Sequence, residues 1–220
     1  MSGCRLCPRE CGAERSLDAG QCGVHGVPRV ARAMLHMWEE PCISGSRGSG
    51  AIFFSGCNLS CVFCQNYDIS QSLFGTETDE ERLSHIMLSL QNAGAHNINL
   101  VSPTPHVIEI IKAVKCAKEQ GLTIPIVYNT NAYEKAETLH ALKGVVDIYL
   151  PDIKYVTPLV SERYSGVSDY FRYASEALKV MWQQCGQLTL DDDGIANEGL
   201  SLGTLFCRGR WTKLAAYWTF

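Results

Sequence analysis

The chain has 220 residues, a formal net charge of -4 and 46% hydrophobic residues, which suits one sizeable globular domain with an appendage. That mild acidity gives no ground for nucleic-acid binding or for a basic membrane patch. No run is long and apolar enough to span a bilayer, and "MSGCRLCPRECGAERS" lacks the apolar core of a signal peptide, so a cytoplasmic protein is expected.

Residues 1–49 are rich in Cys, Gly, Arg and Pro with little periodicity, and are expected to form an irregular lobe. From Gly50 the pattern becomes regular. "AIFFSG" reads as a strand that runs into the loop "CNLSCVFCQN". "TDEERLSHIMLSLQNAG" reads as a helix: Leu83, Ile86, Met87 and Leu90 share a face, Thr78 and Glu81 form a capping box, and Gly94 is the stop. "NINLV" is the next strand. "TPHVIEIIKAVKCAKEQG" is the next helix, with Pro105 suited to its first turn. "IPIVYN" is a strand, "EKAETLHALKG" a short helix and "VVDIYLPDIK" a strand. "SDYFRYASEALKVMWQQCG" is a helix with Ala174, Ala177, Leu178 and Met181 inward and Gly186 at its end.

Strand and helix alternate four times, the pattern of βα units on a parallel sheet. Continuous apolar strands indicate a sheet covered on both faces. In such sheets ligands gather beyond the carboxyl ends of the strands. The cysteine loop, "SPTP", "NTNA" and "PDIK" should therefore share one rim.

Eleven cysteines are many for an intracellular chain, where thiols stay reduced and clusters of them point to metal or redox work. Cys42, Cys116, Cys185 and Cys207 are scattered and read as small buried hydrophobes. Cys57, Cys61 and Cys64 sit at C-x3-C-x2-C on the rim. A closed zinc site wants four ligands, whereas three thiolates leave a metal position open. Cys4, Cys7, Cys11 and Cys22 form a second group of four candidate ligands, for zinc, for another cluster, or as metal-free thiols packing the lobe.

The rim loop, C-x3-C-x-aromatic-C after the first strand of a βα pattern, resembles the signature of the radical S-adenosylmethionine enzymes. The resemblance implies a [4Fe–4S] cluster on Cys57, Cys61 and Cys64 whose open iron is chelated by S-adenosylmethionine. It also implies a 5′-deoxyadenosyl radical, formed by one-electron cleavage of the sulfonium, that takes a hydrogen atom from substrate. Over roughly residues 1–200 the chain is similar to the activating enzymes of pyruvate formate-lyase and their homologues. "CVFCQN", "YNTNAY" and "YLPDIKY" carry that likeness. It implies that Phe63, Asn66, Asn129, Thr130, Asp152 and Lys154 face the cofactor; Ser102 and Thr104, in the stretch that departs from the family's pattern, are expected to offer it hydroxyls. A protein substrate of the glycyl-radical type and an electron donor such as flavodoxin or ferredoxin are the implied partners.

This sequence departs from the family's pattern in several places. "VSPTPH" replaces the G-G-E stretch, so a carboxylate is missing; Asn129 stands in place of an acid and Ala132 in place of a glycine. Thr104 also reads as a helix cap, His106 as a capping or surface residue, and Asp152 with Lys154 as a solvated pair.

The expected fold class is therefore α/β: a partial parallel (βα) barrel of the radical S-adenosylmethionine type, with about four βα units, after a cysteine-rich lobe. Residues 1–49, 50–200 and 201–220 divide as lobe, partial core and aberrant tail. The tail, "SLGTLFCRGRWTKLAAYWTF", lacks periodicity. Read one nucleotide early, its codons permit I-V-R-H-L-V-L-P-G, the fifth strand that the resemblance calls for. A frameshifted tail is thus expected, with a divergent C-terminus as the alternative. A four-unit sheet would leave an unpaired edge and an uncovered interior. The alternatives to an active enzyme are an inactive iron–sulfur or zinc-binding remnant and a zinc-binding interaction module.

Overall fold

The structure, a computed structural model, describes residues 3–202. The predicted frameshift falls almost wholly outside the described residues. In chain order the elements are β1 (Arg29–His36), α1 (Pro41–Ser44), β2 (Ser49–Phe54), α2 (Tyr67–Ser70), β3 (Thr76–Glu77), α3 (Glu80–Asn92) and β4 (Ile98–Val101). A 3-10 turn (Thr104–His106) then leads into α4 (Val107–Glu119), β5 (Ile126–Thr130), α5 (Ala136–Ala141), β6 (Ile148–Pro151), α6 (Pro158–Ser165), α7 (Tyr170–Cys185), β7 (Thr189–Leu190) and β8 (Ala196–Leu200).

These strands form one sheet in the order β3-β1-β2-β4-β5-β6-β8-β7. β2, β4, β5, β6 and β8 run parallel, and β1, β3 and β7 are antiparallel to their neighbours. The α/β class and the parallel βα core thus match the sequence reading. The strand count differs. A fifth parallel strand, β8, pairs with β6 through Ile148↔Gly199 and Tyr149↔Leu200, and the Ser201 amide donates to the Tyr149 carbonyl at 2.9 Å. Arg29–His36, expected to be irregular, is a strand along the edge of β2.

Register sets which side chains meet. Phe53, Val101, Asn129 and Leu150 are neighbours across β2, β4, β5 and β6. One residue back along each strand, Ile52, Leu100, Tyr128 and Tyr149 point to the opposite face and join the core under the helices. That core takes Leu83, Met87 and Leu90 from α3; Ile110, Ala113, Val114 and Ala117 from α4; and Ala174, Ala177, Leu178 and Met181 from α7. Each fully buried leucine, isoleucine, valine or methionine side chain among them contributes about 1.5–3 kcal/mol.

The inner face is covered as well. Ile43 of α1 is fully buried among Val127, Ile148, Leu150 and Ala196. The uncovered interior and unpaired edge expected of four units are therefore absent from the described residues, because α1 and β8 fill those places.

Local details refine the helix ends. α3 is capped by Asp79, whose side chain accepts from the Arg82 amide at 2.8 Å, and not by Thr78, whose hydroxyl turns back to the Thr76 carbonyl. Gly94 (φ +93) and Gly186 (φ +67) stop α3 and α7 as expected.

Candidate functional site

The carboxyl ends of β2, β4, β5 and β6 open into a cleft of about 540 Å³. Its floor is the layer Phe53, Val101, Asn129 and Leu150. Its walls bring together Cys57, Cys61, Phe63, Cys64, Asn66, Ser102, Asn129, Thr130, Asp152 and Lys154. Of the sequence-predicted rim residues, Thr104 alone lies elsewhere.

β2 delivers its chain end to the rim, and Gly56 makes the turn. Its φ of +85 suits glycine, and a Cβ there would stand 2.7 Å from the Cys22 carbonyl oxygen. Cys57 follows, accepting from the Leu59 amide at 3.5 Å and from Asn131 Nδ2 at 3.4 Å. Asn131 Nδ2 also donates to Asn58 Oδ1 (2.8 Å), and Asn58 Nδ2 donates to the Tyr133 carbonyl (2.6 Å). The two asparagines tie the cysteine loop to the loop after β5. Cys61 Sγ lies 2.9 Å from Ser165 Oγ, and Cys64 Sγ lies 3.3 Å from Ser70 Oγ.

Burial pushes the Cys57 thiol up to about 11, against the pull of the Leu59 amide, and raises Cys61 too. Such thiols are protonated near neutrality unless a cation takes the proton's place, as metal binding does. Three soft donors on one wall, beside a space within the 300–1,000 Å³ range of small-molecule sites, fit an iron–sulfur cluster with a ligand next to it. Among the described residues, no three His, Cys, Asp or Glu side chains stand at single-ion spacing.

On the far wall, Lys154 Nζ donates to Asp152 Oδ2 at 3.0 Å, with the lysine side chain only 10% exposed. The pair is an ion pair turned into the cleft, not a solvated surface pair. Phe63 stands edge-on to Tyr155, with ring centroids 6.2 Å apart. Ser102 (φ +58) and Ala132 (φ +63) hold left-handed backbone where their loops turn at the rim.

Thr104 donates to Glu134 Oε1 at 2.6 Å and does not cap α4. Thr130 Oγ1 (2.6 Å) and Tyr128 OH (3.2 Å) donate to the same oxygen. Burial raises the Glu134 carboxyl to about 7 against those hydrogen bonds. His106 is no surface residue: it is fully buried, Nε2 lies 2.9 Å from the Ser55 carbonyl, and burial lowers it to about 4.

Sequence reasoning missed one wall of the cleft. Arg32, Met34 and His36 alternate along β1 and line the cleft together with Trp38, Glu39 and Glu40. Asn129 Nδ2 donates to Glu39 Oε2 at 3.4 Å. Burial, with the charges of Glu40 and Asp152, lifts the Glu39 carboxyl to about 7. Little in the sequence signals it: the polar residues of "RVARAMLH" fall at Arg29, Arg32 and His36 and not at every second position.

Residues 51–181 match the family model of the radical SAM superfamily. The chain is also 35% identical, over 176 residues, to an uncharacterized protein of Methanocaldococcus jannaschii. That match covers 76% of this chain and 50% of the relative, so the chain spans about half the length of the relative it matches.

Proposed function

This chain belongs to the radical SAM superfamily, and from that premise we propose that it is an iron–sulfur enzyme that cleaves S-adenosylmethionine reductively, in the manner of glycyl-radical activases. The observation that carries the reading is the convergence of Cys57, Cys61 and Cys64 on the wall of a cleft that also holds Asp152, Lys154 and Asn129. When bound, the reduced cluster supplies the electron that breaks a sulfonium C–S bond. The chain's own residues do the rest. Three thiolates hold the cluster, and Asn58 with Asn131 keeps their loop against β5. Asp152 and Glu39 offer carboxylates to the amino group of S-adenosylmethionine, the second taking the place of the carboxylate missing from "VSPTPH". Lys154 offers its ammonium to the carboxylate of the same ligand, and Phe63 gives an apolar face for the adenine. Asn66, Ser102 and Thr130 complete the rim. Trp38, 87% exposed beside Glu39, marks the lip over which a protein substrate would approach. A flavodoxin or ferredoxin is the proposed electron donor. Among the described residues no helix is long and apolar enough to cross a membrane.

Anaerobic reconstitution with iron and sulfide, then reduction in the presence of S-adenosylmethionine, tests the reading. The expected results are a [4Fe–4S] absorption spectrum and release of 5′-deoxyadenosine, both lost in Cys61→Ala. The departures at Asn129 and "VSPTPH" favour a second reading, a cluster protein without turnover. That reading predicts the cluster spectrum and no 5′-deoxyadenosine. Zinc alone, with no cluster under any condition, removes both.

A further inference from the structure

The N-terminal cysteines lie outside the rim site, yet the fold gathers them. Cys4 is fixed beside the third cysteine by two backbone bonds, from the Cys4 amide to the Ala13 carbonyl (2.9 Å) and from the Gly12 amide to the Cys4 carbonyl (3.1 Å). Gly3 and Gly12 pack so closely there that a Cβ on Gly3 would overlap the Gly12 carbonyl. A second turn, closed by Gly20 amide to Val24 carbonyl (3.1 Å) and Gly23 amide to Gly20 carbonyl (2.8 Å), presents Cys22. A Cβ on Gly20 would touch both the Cys22 and Cys11 sulfurs, at 3.3 and 3.4 Å. All four cysteines line one cavity of about 20 Å³.

We propose that Cys4, Cys7, Cys11 and Cys22 bind one zinc ion in a closed, structural four-thiolate site, separate from the rim cluster. Four features support it. The ligand number is the one a closed zinc site takes. The cavity, about 20 Å³, has room for about one water-sized particle, a scale that suits a single ion. Backbone amides face the sulfurs two residues on, Arg9 against Cys7, Ala13 against Cys11 and Val24 against Cys22, as Leu59 faces Cys57 on the rim. Arg9 and Arg15 line the same cavity and offset the surplus negative charge of four thiolates on one dication. As free thiols the four are not at single-ion spacing, so the proposed site requires their sulfurs to draw inward when the ion binds.

The site has a structural task. Arg9, between the second and third cysteines, donates Nε to the Asn58 carbonyl (2.9 Å) and Nη1 to the Gly166 carbonyl (2.9 Å). Zinc would fix the loop that aims this side chain at the rim.

The test is metal analysis of the full-length chain carrying Cys57→Ala, Cys61→Ala and Cys64→Ala, which cannot hold the rim cluster. About one zinc per chain should persist through dialysis against EDTA. Adding Cys7→Ser and Cys22→Ser should lower it at least tenfold. Because that variant could simply unfold, cobalt substitution of the otherwise unaltered triple variant gives an independent readout, the visible bands of tetrahedral thiolate-bound cobalt. The proposal is overturned if the triple variant takes up iron and sulfide in place of zinc. It is equally overturned if zinc and cobalt both stay below about one tenth per chain while the four thiols alkylate freely in the folded protein. Neither outcome depends on the rim cluster or on cleavage of S-adenosylmethionine.

Discussion

Arg9 reaches 49 residues along the chain to donate its Nε to the carbonyl of Asn58 at 2.9 Å, next to the first rim cysteine. The same guanidinium meets the carbonyl of Gly166, and of Ser165 at 3.5 Å, whose hydroxyl in turn lies against Cys61. One side chain thus braces the cysteine loop beside Cys57 and, through Ser165, at Cys61. Hydrogen bonds from a charged donor are each worth about 1.5–3 kcal/mol, less where solvent shares them. Arg9→Ala is expected to speed the loss of rim iron to a chelator several-fold while leaving α-helical content unchanged. Anaerobic iron-release kinetics measure the first and far-ultraviolet circular dichroism the second. Wild-type iron retention would mean that Arg9 braces nothing.

The inner face of the sheet depends on Ile43, which is fully buried and comes from a helix of four residues. Trimming it leaves a cavity that Val127, Ile148 and Leu150, fixed in their strands, cannot fill. Ile43→Ala should cost about 2–5 kcal/mol, and Ile43→Val about 0.5–1.5 kcal/mol. Urea unfolding of the two variants gives both numbers. A loss under 1 kcal/mol for the alanine variant would show that the interior collapses onto the gap.

Glu134 gives a pH dependence of definite sign. Its carboxyl is raised from 4.5 to about 7 by burial, so the folded chain holds its proton more tightly than the unfolded chain does. Stability from this group is therefore fully present below pH 4.5, falls as pH rises toward 7 and is flat above, a change of up to about 3 kcal/mol. Glu39 works in the same sense, while buried His106, lowered to about 4, loses stability as pH falls below 6.5. Comparison with a variant isolates the one residue. Glu134→Gln should flatten the pH dependence of unfolding between 5 and 7.5 relative to wild type. Identical slopes in the two proteins would refute the assignment.

The sequence made the repetitive part of this fold legible, and with it most of one side of the cleft. α3, α4 and α7 announced themselves because their buried residues recur at helical spacing and end in glycines. Cys57, Asn129 and Asp152 were legible because parallel strands place their carboxyl ends together. What escaped lay where pattern is short or chemistry is non-local. β1 has only eight residues, three of them Arg or His, inside a glycine- and cysteine-rich lobe. β8 begins beside "DDDG" and makes two paired contacts with β6. Thr104 and His106 looked like surface or capping residues because their partners, Glu134 and the Ser55 carbonyl, are 30 and 51 positions away.

Glu39 bears directly on the proposed cofactor site. It lies in the cleft within hydrogen-bond reach of Asn129, and Asp152 is near enough to raise its carboxyl. A carboxylate lifted to about 7 by burial and like charge is relieved when an ammonium arrives beside it. If the amino group of S-adenosylmethionine is that ammonium, binding requires the ionised form. Affinity should then rise with pH up to about 7 and level off above. Glu39→Gln should weaken binding about tenfold at pH 7.5, equivalent to roughly 1.4 kcal/mol, and remove the pH dependence. Equilibrium dialysis with labelled S-adenosylmethionine, on protein matched for iron content, measures both effects. Affinity within twofold of wild type at pH 7.5 would place the amino group elsewhere and leave Asp152 as its partner.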